Sequence, residues 1–214
     1  MKKNLTELVF ILDRSGSMSG LEADTIGGFN AMLEKQKAEP GEAYISTVLF
    51  DNESVVLHDR LSLDKVPLMT RKDYWVRGCT ALLDAVGGAI HHIGNVHKYA
   101  RPEDVPERTL FVITTDGMEN ASRTYSYDRV KEMIRQRKEQ GWEFLFLGAN
   151  IDAAREAARF GIDQDHSADY LADSQGTGVV FEAVSATVAS FRESCPMSAD
   201  WKRKITQDYK KRGR

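Results

Sequence analysis

The sequence predicts a three-layer α/β fold, with a mostly parallel central sheet, one antiparallel edge strand, and helices on both faces. Three observations point there. Short apolar runs such as Leu8-Val9-Phe10-Ile11-Leu12 do not alternate with polar residues, so those strands are expected to be buried on both faces. Between the runs lie stretches with apolar residues at spacings of three and four, which bury one stripe of a helix. Strand, helix, strand, helix in succession implies right-handed crossovers and parallel pairing.

Each element has its own signal. After the first strand, Ile26, Phe29 and Leu33 give a helix a core-facing stripe, with Glu22 at its start. Tyr44 to Phe50 reads as a second strand. Asp51-Asn52 offers a turn and Ser54 to His58 a hairpin partner, expected at a sheet edge. Thr80 to Val96 carries a second helix, with Leu83, Val86, Ile90 and Ile93 on one stripe. Thr109 to Thr114 is a third apolar strand, and Val130, Met133 and Ile134 mark another helix. Phe144 to Leu147 is a fourth strand, Ala153 to Phe160 a short helix stopped by Gly161, and Val180, Val184, Val188 and Phe191 line a last long helix.

The 214 residues suit one generous domain, with 42% hydrophobic and 29% charged residues, as expected of a chain that folds around one core. A net charge of −3 creates no strong general field toward nucleic acid or acidic lipid. The apolar run after Met1-Lys2-Lys3 is five residues long, short of a signal-peptide core, and no run approaches a membrane span. Two cysteines, Cys79 and Cys195, argue against a disulfide-stapled fold, so a cytoplasmic, reducing compartment is expected. Cys79 is expected to be a small buried side chain. From Pro196 to Arg214 the pattern fades into a basic tail, read as a solvated or loosely ordered end. It has too few aromatic residues, Trp201 and Tyr209, for nucleic-acid stacking.

The chemistry lies at strand ends. The first strand runs into Asp13-Arg14-Ser15-Gly16-Ser17, and the third ends in Thr114-Thr115-Asp116-Gly117. In open parallel sheets, ligands bind beyond the carboxyl ends of the strands, near the point where strand order reverses. Asp13, Ser15 and Ser17 alternate along their loop, and Arg77-Gly78-Cys79-Thr80 can deliver the Thr80 hydroxyl from a third direction. Two carboxylates and three hydroxyls suit a hard divalent cation, Mg²⁺ foremost, with Mn²⁺ or Ca²⁺ as alternatives. The competing reading makes the acids helix caps and the serines turn residues.

Asp13-x-Ser15-x-Ser17, then Thr80, then Asp116 before Gly117 resembles the metal-ion-dependent adhesion site of von Willebrand factor A domains. Ile11 to Met18 and Gly78 to Leu82 match that family closely, and the likeness covers residues 5 to 195. The domain is therefore assigned to residues 1–195 and the tail to residues 196–214. The resemblance implies a Rossmann-like sheet and a metal held by Asp13, Ser15, Ser17, Thr80 and Asp116. It implies a non-enzymatic binding module whose metal accepts an Asp or Glu carboxylate from a partner protein. Phe146 to Ala154 further resembles small stand-alone bacterial proteins of this type, some associated with tellurium resistance. Arg14, Met118, Glu119 and Asn120 are candidates for the rim that shapes partner choice.

The alternatives are a magnesium-dependent phosphoester hydrolase and a purely structural metal site in an assembly scaffold. Phosphotransferases of the haloacid dehalogenase type carry a second Asp two residues after the first, where this chain has Ser15. No phosphate-binding loop or nucleophile elbow occurs, and His58, His91, His92, His97 and His166 show no zinc pattern.

Overall fold

The computed structural model describes residues 1–195 and 197–213. Six strands form one sheet: β1 (Lys2–Asp13), β2 (Glu42–Phe50), β3 (Ser54–Ser62), β4 (Pro106–Thr115), β5 (Trp142–Ala149) and β6 (Ser167–Tyr170). Their order is β3-β2-β1-β4-β5-β6, and only β3 runs antiparallel, against β2. The predicted class and the antiparallel edge are both observed.

Because successive strand residues point to opposite faces, β1 feeds two cores at once. Leu8, Phe10 and Leu12 pack with Phe29, Met32 and Leu33 of α1 (Glu22–Ala38) and with Val180, Val184 and Val188 of α5 (Ser174–Arg192). Val9 and Ile11 pack on the other face with α2 (Leu82–Tyr99), α3 (Tyr127–Lys138) and α4 (Ala153–Phe160). The β1 apolar residues from Leu8 to Leu12 are at most 1% exposed, which explains their non-alternating sequence.

Three expectations need correction. β1 starts at Lys2, well before the apolar run, because its first residues pair with β4 and β2 regardless of side-chain type. β6 was not foreseen, since Ser167-Ala168-Asp169-Tyr170 is too short and mixed to show a period. The chain after residue 196 is not a loose end. A turn at Ala199–Lys202 leads into α6 (Arg203–Arg212), which packs on α5 and β6. Ile205 is buried there, the Trp201 indole donates to the Asp165 carbonyl, and Arg212 pairs with Asp173 and Asp208. One apolar contact per helix leaves no stripe in the sequence, so the charge run read as solvated. Pro196 and Arg214, which the tail assignment includes, lie outside the described residues.

The functional geometry follows from the strand order. β1 has β2 on one side and β4 on the other, and the connections leave in opposite directions from that pair. The reversal point falls between the ends of β1 and β4, where Asp13 and Asp116 stand.

Candidate metal centre

Asp13 is the last residue of β1 and is 1% exposed. Both its carboxylate oxygens are occupied: Oδ1 accepts from the Ser15 amide at 2.7 Å and Oδ2 from the Thr115 hydroxyl at 2.7 Å. The Tyr74 hydroxyl donates to the Asp13 carbonyl at 2.5 Å. Burial pushes the Asp13 carboxyl above its ordinary range, opposed by the Ser15 and Thr115 hydrogen bonds.

The serine loop is fixed by its neighbours rather than by its own turns alone. The Arg14 amide donates to the Phe50 carbonyl, the Arg77 amide to the Arg14 carbonyl and the Gly16 amide to the Gly78 carbonyl. Gly78 has φ +69°, and a Cβ there would lie 1.8 Å from Asn52 Oδ1, which accepts from the Cys79 amide. Only glycine fits that position.

The hydroxyls converge on the second acid. Ser15 Oγ lies 3.1 Å from Ser17 Oγ, and Ser17 Oγ donates to Asp116 Oδ1, which leaves Ser15 as the donor to Ser17. A Cβ on Gly117 would stand 3.2 Å from Thr80 Oγ1 and 3.4 Å from Ser17 Oγ, so the Thr80 hydroxyl joins the same group. Thr80 is positioned through its backbone: its amide donates to Asn120 Oδ1 and its carbonyl accepts from the Asn120 amide. The structure thus brings all five predicted residues together. Asp13, Ser15, Thr80 and Asp116 are buried, and Ser17 opens to solvent.

One oxygen has no partner. Asp116 Oδ2 is buried and accepts no hydrogen bond. Burial, together with the nearby Asp13 charge, pushes the Asp116 carboxyl up to about 6. A buried carboxylate oxygen without a donor is costly unless a cation sits against it. The residues therefore fit a hard divalent ion: two carboxylates supply charge and three hydroxyls supply neutral oxygens. Among the described residues, no group of three or more His, Cys, Asp or Glu side chains is placed to hold a metal, so a centre built on His or Cys finds no donors.

The expected rim is corrected in part. Arg14 is 1% exposed, lies 4.9 Å from the Trp75 ring centroid and has Nε 2.8 Å from Asp51 Oδ2. That contact is an ion pair without hydrogen-bond alignment, since Arg14 Nε has no acceptor in line. Arg14 therefore ties the loop to β2 and cannot meet a partner. Glu119 accepts from the Leu83, Ala121 and Ser122 amides and so caps α2. Asn120 is exposed but committed to Thr80, and Met118, 64% exposed, remains available. Cys79 is exposed, not buried as expected, because Gly78 and Asn52 turn the chain outward just before Thr80. Thr115 and Tyr74, which hold Asp13, were missed. Thr115 adjoins Asp116 in the sequence and could have been suspected, whereas Tyr74 carries no local signal.

The sequence matches no protein-family profile and no curated protein. Solved structures do resemble it. The von Willebrand factor domain of the type V pilus tip protein Mfa5 from Porphyromonas gingivalis superposes with a TM-score of 0.64 at 11% identity, covering 90% of this chain and 98% of that one. Proximal thread matrix protein 1 from the mussel byssus, in a structure with a zinc-occupied MIDAS motif, gives 0.57 at 14% identity and covers 86% of this chain. The von Willebrand factor type A protein from Catenulispora acidiphila gives 0.57 at 14% identity, also over 86% of this chain. This chain spans less than half of those two proteins, 46% and 42% of their lengths. With the same sheet, the same layers and these superpositions, the chain has the fold of a von Willebrand factor A domain.

Proposed function

We propose that this chain is a von Willebrand factor A-type binding module that uses one divalent cation, Mg²⁺ foremost, to capture a carboxylate of a partner protein. The observation that carries the reading is the buried, unpartnered Asp116 Oδ2, set among the hydroxyls of Ser17, Ser15 and Thr80. Asp13, Ser15, Ser17, Thr80 and Asp116 would hold the ion directly or through water. The ion supplies a positive charge that an acidic side chain can meet from the solvent side, where Ser17 is exposed. The zinc in the mussel protein's motif supports a divalent ion in a site of this kind. The oxygen donors of this chain favour a harder one.

A binding role is favoured over hydrolysis by the commitments of the site's groups. A hydrolase needs a base within hydrogen-bond reach of an attacking water. Asp13 already accepts two hydrogen bonds, Asp116 would be committed to the ion or its waters, and His58 is buried against Phe29 on the far side of β2. His91 and His92 lie exposed along α2. The resemblance of Phe146 to Ala154 supports a bacterial protein of the tellurium-resistance-associated type, and the content of two cysteines supports a reducing, cytoplasmic compartment.

Calorimetric titration with Mg²⁺ and Mn²⁺ tests the site. Wild type is expected to bind one ion, while Asp13→Ala and Thr80→Ala bind none or far more weakly. Pull-down from the native host should yield a partner that elutes with EDTA. A partner held equally by Thr80→Ala, Asp116→Ala and chelated protein would make the metal structural. Turnover of a generic phosphoester with Mg²⁺ would favour the hydrolase.

A further inference from the structure

Beside the candidate metal centre lies a second hollow, of about 570 Å³, whose near wall is Met118, two residues after Asp116. Its far wall comes from α4, with Arg155 and Arg159, and its rim from Tyr209 at the end of α6. Ile151 completes an apolar side together with Met118. The α6 segment therefore has a place in the site's architecture, because its last turn closes one flank of this hollow.

The charges in the hollow are unequally satisfied. Arg159 pairs with Glu156 at 2.9 Å, and its guanidinium lies 3.5 Å from the Tyr127 ring centroid. The other Glu156 oxygen accepts from the Tyr127 hydroxyl, so that acid is fully engaged. Asp152, which also lines the hollow, caps the α4 N-terminus, its Oδ1 accepting from the Arg155 amide at 2.9 Å. Among the described residues, the exposed Arg155 guanidinium has no carboxylate within ion-pair distance. A planar, permanently charged donor fork over an apolar floor suits an anionic group carried on methylenes.

We propose that this hollow is a second subsite for the same partner, taking a glutamate side chain that lies near the carboxylate captured at the metal centre. The inference rests on the metal-binding reading above. Its partner is an extended acidic segment. Gly117 stands at the hydroxyl cluster and Met118, one residue on, lines the hollow. An extended peptide rises about 3.3 Å per residue and presents every second side chain to one face. An acid at one position and a glutamate two positions away would both face this surface and span the step between the sites. The metal then accepts the first carboxylate and Arg155 the second, with the glutamate methylenes against Met118 and Ile151. Partner choice is thereby set by the spacing of two acids rather than by one.

The test uses fluorescein-labelled Gly/Ser peptides with blocked termini, bearing one Asp, or one Asp and one Glu separated by one to four positions. Anisotropy is read against the full chain in Mn²⁺ and in EDTA, for wild type, Arg155→Ala, Arg155→Glu and the remote control Arg135→Ala. In Mn²⁺, the second acid is expected to tighten binding about tenfold at one favoured spacing, the size of a charge-assisted hydrogen bond. Arg155→Ala should erase that gain and Arg155→Glu reverse it, while one-acid binding and the Arg135→Ala control stay at wild-type levels. Arg155 is exposed and has no carboxylate partner among the described residues, and thermal melts of its variants check folding. If one-acid and two-acid peptides bind alike in Mn²⁺ at every spacing, or if Arg155→Glu keeps the gain, the subsite is wrong while the metal reading stands. If no peptide binds better in Mn²⁺ than in EDTA, the metal reading falls and the subsite with it.

Discussion

Asp116→Asn should stabilise the metal-free protein while removing its response to metal. In EDTA the wild-type carboxyl is pushed up to about 6 from an ordinary 3.8, mainly by burial and further by the Asp13 charge. Each pKa unit is worth 1.36 kcal/mol, so the buried charge costs up to about 3 kcal/mol at pH 8. Asparagine removes the charge and still accepts from Ser17, but it leaves a buried amide donor at the Oδ2 position, which returns about 1 kcal/mol of cost. The net is a gain of roughly 2 kcal/mol, or about 4–8 °C in Tm for a chain of this size. The sign with pH follows from linkage. A carboxyl raised on folding contributes stability that is complete below its unfolded value near 4 and is lost as pH rises through about 6. The advantage of the variant should therefore be full at pH 8, shrink as pH falls below 6 and turn by pH 4 into a deficit of up to about 1 kcal/mol, where only the amide cost remains. In saturating Mg²⁺ the order reverses, because wild type gains RT ln(1 + [Mg²⁺]/Kd) and the variant little. The assay is differential scanning calorimetry in EDTA and in Mg²⁺ across that range. A variant that melts below wild type in EDTA at pH 8, with no narrowing toward pH 4, would refute the electrostatic account of the site.

Other substitutions probe the frame. Ile11→Asp places an unpaired charge at a position with no exposure and should prevent folding; a soluble variant with native circular dichroism would overturn the burial of β1. Gly78→Ala should cost about 1–3 kcal/mol in urea melts, through left-handed backbone strain and the broken Asn52–Cys79 contact, and an unchanged midpoint would refute it. Burial lowers the His58 imidazole below 6.5, so wild type should lose stability as pH falls below that value. His58→Gln lacks that slope, so urea midpoints of the two proteins should converge from pH 8 to pH 5, and parallel pH profiles would refute it.

The parts of the fold that were legible are those with repeated local signals. β1, β4 and β5 carry unbroken apolar runs because both faces are covered, and α2 and α5 carry full stripes. The five-residue constellation was legible for a different reason, its resemblance to a known metal-ion-dependent adhesion site, together with two acids at the ends of apolar strands. What could not be read depends on contacts distant in sequence. α6 is held by one buried isoleucine, one indole and one arginine pair, none of which forms a period. Arg14 follows Asp13 in an exposed-looking loop, yet its partner is Asp51, 37 positions on, so its burial has no local cue. Tyr74 reaches Asp13 from 61 positions away.

These long-range contacts fix the geometry of the site. Of the Asp13 oxygens, one is restrained by the serine loop and one by Thr115, and the main chain beneath is restrained by Tyr74. Arg14 and Arg77 both meet Asp51. Burial alone would raise the Asp51 carboxyl, but the Arg77 hydrogen bond and the two guanidinium charges hold it below its ordinary range. That acid therefore stays charged and keeps the loops together. Asn120 fixes Thr80, and Glu119 fixes the helix start behind it. These acids and amides are spent on the frame. Asp116 Oδ2 is buried without a donor, and a cation or a proton would relieve that cost. A site whose frame is held by these hydrogen bonds, with one oxygen left unsatisfied, favours the proposed metal reading, because an arriving ion would have little ordering to impose on the protein and a specific electrostatic cost to remove.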